Sequence, residues 1–142
     1  MSTTTQGHRA RSHATGLVIE AWAPSRDDCF EQAVTALVRA FADATSAGPP
    51  DPVPFALDPA NDEELLVQLL EEVLYLVETL GVVPATTEVV DTEDGGVAGS
   101  FDVVPLGQVE VTGVVPKAIA RGDLSFAHDG ESRWSCRVTV EV

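Results

Sequence analysis

The sequence is short of cations. Eight Lys and Arg stand against 23 Asp and Glu, a formal net charge of −15 over 142 residues. Such a surface repels phosphate backbones, whose affinity for proteins comes mainly from Lys and Arg. Direct nucleic-acid binding is therefore not expected. A basic protein surface or a cation is a better-matched partner, and solubility alone is the plainer use of such charge. Cysteine is scarce as well. Cys29 falls in a helical pattern and Cys136 in a strand pattern, without metal or redox-pair spacing. Two half-buried thiols in a reducing compartment are expected. No apolar run approaches the roughly 18–20 residues that cross a bilayer, and Met1–Gln6 lacks the apolar core of a signal peptide. The expectation is a cytoplasmic protein with no membrane attachment.

Strong catalytic motifs are also missing. There is no Gly-rich phosphate loop ahead of a helix and no nucleophile elbow. His8, His13 and His128 are scattered, without the helical spacing of a zinc site. Nothing pairs a nucleophile with a base, so an enzyme is not expected.

What the chain does have is clear patterning. Its length is that of one domain. We expect a disordered polar tail at residues 1–6 and a single domain over 7–142. Leu17–Trp22 reads as a strand. Ser25 opens a helix to about Ala44: its hydroxyl caps the first turn, Asp28 stands at the reciprocal position, and Asp27 and Asp28 suit the positive end of the dipole. Phe30, Ala33, Val34, Leu37, Val38 and Phe41 form its apolar stripe. Gly48, Pro49, Pro50 and Pro52 forbid continuation. Val53–Leu57 suits an edge strand, because Pro54 limits its pairing. Asn61 caps a second helix, with Glu64 three residues on. Leu66, Leu69, Leu70, Val73, Leu74, Val77 and Leu80 mark its face, and Gly81 fits a left-handed closing residue.

Strands follow at Thr86–Val90, Val97–Val104, Val109–Val115, Leu124–His128 and Trp134–Val142, with turn signals at Asp94-Gly95-Gly96 and Asp129-Gly130. The last strand alternates: Trp134, Cys136, Val138, Val140 and Val142 share one face. The fold class expected is α+β, two amphipathic helices packed on largely antiparallel sheet. Lys117, between Pro116 and Ala118, reads as an edge charge that discourages aggregation. By spacing alone Glu141 is a solvated residue on a polar face. With the adjacent α-carboxylate at Val142 it also makes two oxygen-rich groups that Ca²⁺ or Mg²⁺ could share.

The order of these pieces resembles the archease family. Ser12-His13-Ala14-Thr15-Gly16 stands where that family has a His-Thr-Ala-Asp turn. Asp28-Cys-Phe-Glu-Gln-Ala33 is similar to its first-helix start. Glu63 to Leu76 is similar to its Leu-rich acidic helix, and Pro116-Lys-Ala-Ile119 to its late Lys-Ala-Val strand. The resemblance runs from about Gly7 to Val142. It implies an accessory protein for a GTP-dependent RNA-splicing ligase, which joins 2′,3′-cyclic-phosphate or 3′-phosphate ends to 5′-hydroxyl ends in tRNA splicing or RNA repair. The help implied is to the ligase's guanylylation and turnover. It also implies a metal site, and here the sequence departs. The family's turn aspartate, a metal ligand, falls on Gly16, and the Thr-Tyr-His that follows its late strand reads Ala120-Arg121-Gly122. Glu141 and Val142 keep the closing acidic and aliphatic pair, so weakened binding of a divalent cation is expected at Glu141 and Val142. The rival reading is an acidic interaction module of the same fold without metal or ligase.

Overall fold

The computed structural model describes residues 6–13, 16–44, 47–130 and 132–142. Apart from Gln6, the expected tail lies outside them. Strands β1 (Gly7–His13) and β2 (Gly16–Ala23) come first, followed by helix α1 (Arg26–Arg39) and the two-residue strand β3 (Ala42–Asp43). Then come β4 (Asp51–Leu57), helix α2 (Asp62–Leu80), β5 (Val82–Asp91), β6 (Val97–Pro105), β7 (Glu110–Val111), β8 (Ala118–His128) and β9 (Trp134–Glu141). All strand pairs are antiparallel. One sheet runs β1-β2-β9-β8, a second runs β4-β6-β5, and β3 pairs with β7. The α+β class expected from the sequence is the class observed.

Both helices start where their caps require. The Ser25 hydroxyl accepts the Asp28 N–H at 3.1 Å and the Asn61 side chain accepts the Glu64 N–H at 2.8 Å, each satisfying a donor that the first turn leaves without a partner. Gly81 ends α2 at φ 64, where only glycine escapes a steric penalty. α1 lies against β2, β1 and β9 of the first sheet and β5 of the second, and α2 lies against β8, α1, β5 and β4. Their apolar faces fill one core with Ile19, Ala21, Val83, Phe101, Val138 and Val140.

Several expectations need correction. α1 stops at Arg39, not Ala44. The Phe41 N–H bonds to the Val38 carbonyl, and Ala42–Asp43 turns out to pair with Glu110–Val111. Tertiary pairing here overrides the helix propensity of an Ala-rich stretch. Val109–Val115 is not a strand beyond Glu110–Val111. The N–H groups of Thr112 and Gly113 both turn to the Phe41 carbonyl, and a Cβ at Gly113 would stand 2.5 Å from the Ala40 carbonyl oxygen. Leu80 is 63 % exposed rather than part of the α2 face. Cys29 and Cys136 are buried, not half-buried. β8 starts six residues before the expected Leu124, and its register on β9 breaks between Ala120 and Ser125.

Candidate functional site

The last strand carries the residues singled out from sequence. Its alternation holds through Cys136, Val138 and Val140, all buried, whereas Trp134 is half-buried and Val142 is 40 % exposed. Val140 is fully buried and anchors the strand end. Glu141, one residue on, turns to the opposite face and is exposed. Register then defines its neighbours: Gly16 lies opposite it on β2 and Ala118 opposite it on β8. His13 in turn lies opposite Gly16. Directly opposed residues share a face, so Glu141 stands between a glycine and an alanine, and neither of these can screen or pair its charge. The Lys117 N–H donates to the Glu141 carbonyl at 2.8 Å, which fixes the backbone from β8's side. The Lys117 side chain is exposed beside this row.

The register thus puts Gly16 and Glu141 together, as a shared metal site would need. A hard cation gains affinity with each carboxylate and takes six or more oxygens. Gly16 contributes no side chain. A Cβ added there would stand 2.4 Å from the Val140 carbonyl oxygen and 3.5 Å from Thr139 Cγ2. The backbones of β2 and β9 have closed over the place a ligand side chain would leave from. Among the described residues no three His, Cys, Asp or Glu side chains are grouped to hold a metal ion. What is present at this row fits a divalent ion poorly.

A second group was not visible from spacing. Arg26, at the start of α1, donates to Asp62 at the start of α2 (2.7 Å) and to Asp91 at the end of β5. The neighbouring Asp27 has a carboxyl pushed up to about 6, first by burial and then by its hydrogen bond to Asp91. Asp91 moves the other way, chiefly because Arg26 bonds it. One Asp27 oxygen is buried without a partner. The sequence pattern assigns Asp27 only to the dipole of α1. Asp91 lies far along the chain, and no local pattern signals the junction.

The cysteines also meet. The Cys29 thiol donates to the Ala21 carbonyl at 3.7 Å, and Ala21 lies opposite Cys136. Contact with Cys29 and burial push the Cys136 thiol well up, which disfavours the reactive thiolate. Two of the histidines have separate partners: His8 bonds Gln32 at 2.8 Å and His128 stacks on Trp134.

Fold and site together define a small α+β domain with two helices on antiparallel sheets and an acidic residue at the end of its closing strand. The sequence model of the Archease protein family matches residues 8–142, and the chain belongs to the archease family. It is 40 % identical over 139 residues to "Probable protein archease" of Mycobacterium tuberculosis, in strains CDC 1551 and H37Rv, covering 98 % of this chain and 76 % of each relative. Among solved structures it is similar to Methanobacterium thermoautotrophicum protein 1598, with TM-score 0.69 and 15 % identity over 96 % of this chain and 99 % of that one. It is also similar to a Thermotoga maritima archease described as a possible chaperone, with TM-score 0.67 and 14 % identity over 93 % and 94 %. At such identities these two structures speak for the fold alone. No helix among the described residues is long and apolar enough to cross a membrane.

Proposed function

We propose that this protein is a non-catalytic accessory factor that assists a GTP-dependent RNA ligase, promoting its guanylylation and turnover in tRNA splicing or RNA repair. Family membership supports an accessory role, and the Thermotoga relative's description as a possible chaperone agrees with a protein partner. The observation that carries the site is the placement of Glu141. It is exposed, held by paired backbone on both sides, and flanked by Gly16 and Ala118. An exposed carboxylate on a backbone held from both sides is suited to meet a basic group of the ligase, with Val142 beside it as an aliphatic contact. Any divalent ion here would be held weakly, because Glu141 has no carboxylate opposite it.

The test is ligase guanylylation with the protein added to the ligase of its own organism. Glu141→Gln removes one charge at a strand end where it carries little packing energy. Stimulation should fall while the melting temperature stays. The matched control is Glu93→Gln, on an exposed turn. Glu31 is unsuitable as a control, although it lies on the polar side of α1. Its carboxylate accepts the Val89 N–H at 2.8 Å and is half-buried. Equal losses from Glu141→Gln and Glu93→Gln would mean bulk charge alone. A parent protein that never stimulates the ligase would favour the rival reading, an acidic interaction module, which the closed backbone at Gly16 also supports.

A further inference from the structure

The two larger sheets have four edge strands, and three of them are blunted. β4 carries Pro52 and Pro54, which cannot donate to a further strand. β5 has a register break at Pro84/Thr86, and its Val89 N–H is already taken by Glu31. β8 breaks register between Ala120 and Ser125. Such devices keep sheet edges from pairing with foreign chains. β1 has none of these three, and the edge charge that it does carry, Arg9 and Arg11, repels basic chains but not acidic ones. Its seven residues pair with β2 without interruption, from Gly7↔Trp22 to His13↔Gly16. It contains no proline. Its alternate N–H and C=O groups therefore point away from β2, with no partner strand among the described residues.

Its charge is equally unusual. Residues 7–13 hold two of the eight Lys and Arg, two of the three His, and no acid, in a chain of net charge −15. Arg9 and Arg11 share the sheet face turned away from the helices, with side chains 63 % and 57 % exposed around a single Glu20. On the other face, β1 and the end of α1 enclose a shallow hollow of about 350 Å³, bounded by His8, Ala10, Ser12, Ala36, Arg39 and Ala40.

We propose that the β1 edge takes an extended acidic segment of a partner protein as a fifth strand. In strand addition, main-chain hydrogen bonds hold the peptide and alternate side chains select it. One set of its side chains would be acidic and oppose Arg9 and Arg11. The other set would be small and apolar, entering the hollow beside Ala10 and Ala36. A second copy of this chain is disfavoured: antiparallel β1–β1 pairing centred on Ala10 sets Arg9 opposite Arg11, and like charges directly opposite destabilise. Nucleic acid has no use for a strand edge, and most of this surface would repel it. The proposal goes beyond the ligase reading and stands without it.

The experiment is fluorescence anisotropy at low salt with a labelled peptide of alternating Glu and Val, as long as β1. Binding is expected, weakening as salt rises. Arg9→Glu with Arg11→Glu should weaken it about tenfold. The same peptide N-methylated at alternate residues, and a Lys–Val peptide, should not bind. Binding of the N-methylated peptide at parental strength would mean charge alone and overturn the strand. An unchanged affinity in the double variant would place the peptide elsewhere. A single-stranded oligouridylate that binds and loses affinity in the double variant, where the peptide fails, would assign the face to nucleic acid. A dimer in sedimentation that the double variant abolishes would assign it to a second copy. Each of the last three outcomes also sinks the proposal.

Discussion

Gly16 lies directly opposite Glu141, and the structure gives any side chain placed there a measurable cost. A Cβ at this position meets the Val140 carbonyl oxygen at 2.4 Å, whereas ordinary contacts begin at 3.4 Å. Either residue 16 or the β9 backbone must therefore give by about 1 Å at the row that carries Glu141. Overpacking of this kind costs about 1–3 kcal/mol. Unfolding entropy near 60 °C is about 2 cal/mol/K per residue, roughly 0.3 kcal/mol/K for a chain of this size, so Gly16→Ala should melt about 3–10 °C below the parent. Gly16→Asp should melt lower still in chelator, because its carboxylate lies directly across from Glu141 and like charges on opposed strands repel. Circular-dichroism melts of the three proteins settle the steric part. Adding Ca²⁺ settles the rest: a cation shared with Glu141 should return stability to the aspartate variant, growing with the logarithm of concentration, and do little for the parent. A Gly16→Ala protein as stable as the parent would refute the closed-backbone account. An aspartate variant indifferent to Ca²⁺ would refute any latent cation site.

Two further outcomes test the core and the helix junction. Leu70 is fully buried in α2, so Leu70→Ala should cost about 2–5 kcal/mol, or roughly 7–17 °C in Tm; a shift of only a degree or two would mean that α2 does not face the core as described. Asp27 has its carboxyl raised to about 6 by burial and by Asp91. The folded state keeps that proton where the unfolded chain has lost it, so ionising Asp27 costs stability as pH climbs from about 4 to about 6, and the cost persists above. Asp27→Asn removes it. The variant should equal the parent near pH 4 and exceed it by about 1 kcal/mol at pH 7 once solvent screening is allowed for. A gap that is flat across this range in pH-dependent melts would contradict the shift.

The parts of the fold legible in the sequence are those set by local chemistry. Ser25 and Asn61 announced the helix starts because a cap needs only a side chain and an N–H three residues away. Gly81 announced an end because few residues tolerate its φ. What stayed hidden was set by partners distant in sequence. Gly7–His13 is polar and alternates weakly; it is a strand because β2 offers a full ladder. Val109–Val115 is apolar and β-branched, yet Phe41 takes its hydrogen bonds and leaves only Glu110–Val111 paired. At the candidate site, the alternation of β9 marks Glu141 as a polar-face residue, and the register places it opposite Gly16. The backbone contact that closes Gly16, and the Arg26 junction joining residues 26, 62 and 91, depend on three-dimensional approach and have no signature along the chain.

The two surfaces on the four-stranded sheet should act independently, and this follows from its spacing. Arg11 lies opposite Val18, and Glu141 lies opposite Gly16. The two are separated by two strand intervals across the sheet and two residues along it, about 12 Å between backbones. Across that distance in water, a unit charge changes the affinity for a charged group less than about twofold, and salt at physiological strength screens it further. Glu141→Gln should therefore leave the affinity for the acidic peptide within twofold of the parent. Arg9→Glu with Arg11→Glu changes four charge units, so only at physiological ionic strength, where screening cuts each contribution severalfold, should it leave ligase guanylylation within about twofold of the parent while weakening the peptide. Both readouts on both variants, at one salt concentration, decide the matter. If each variant damaged both activities to a similar degree, electrostatics at this range could not be the reason. The acidic strand end and the basic edge would then be two parts of one interface, contacted together by a single partner.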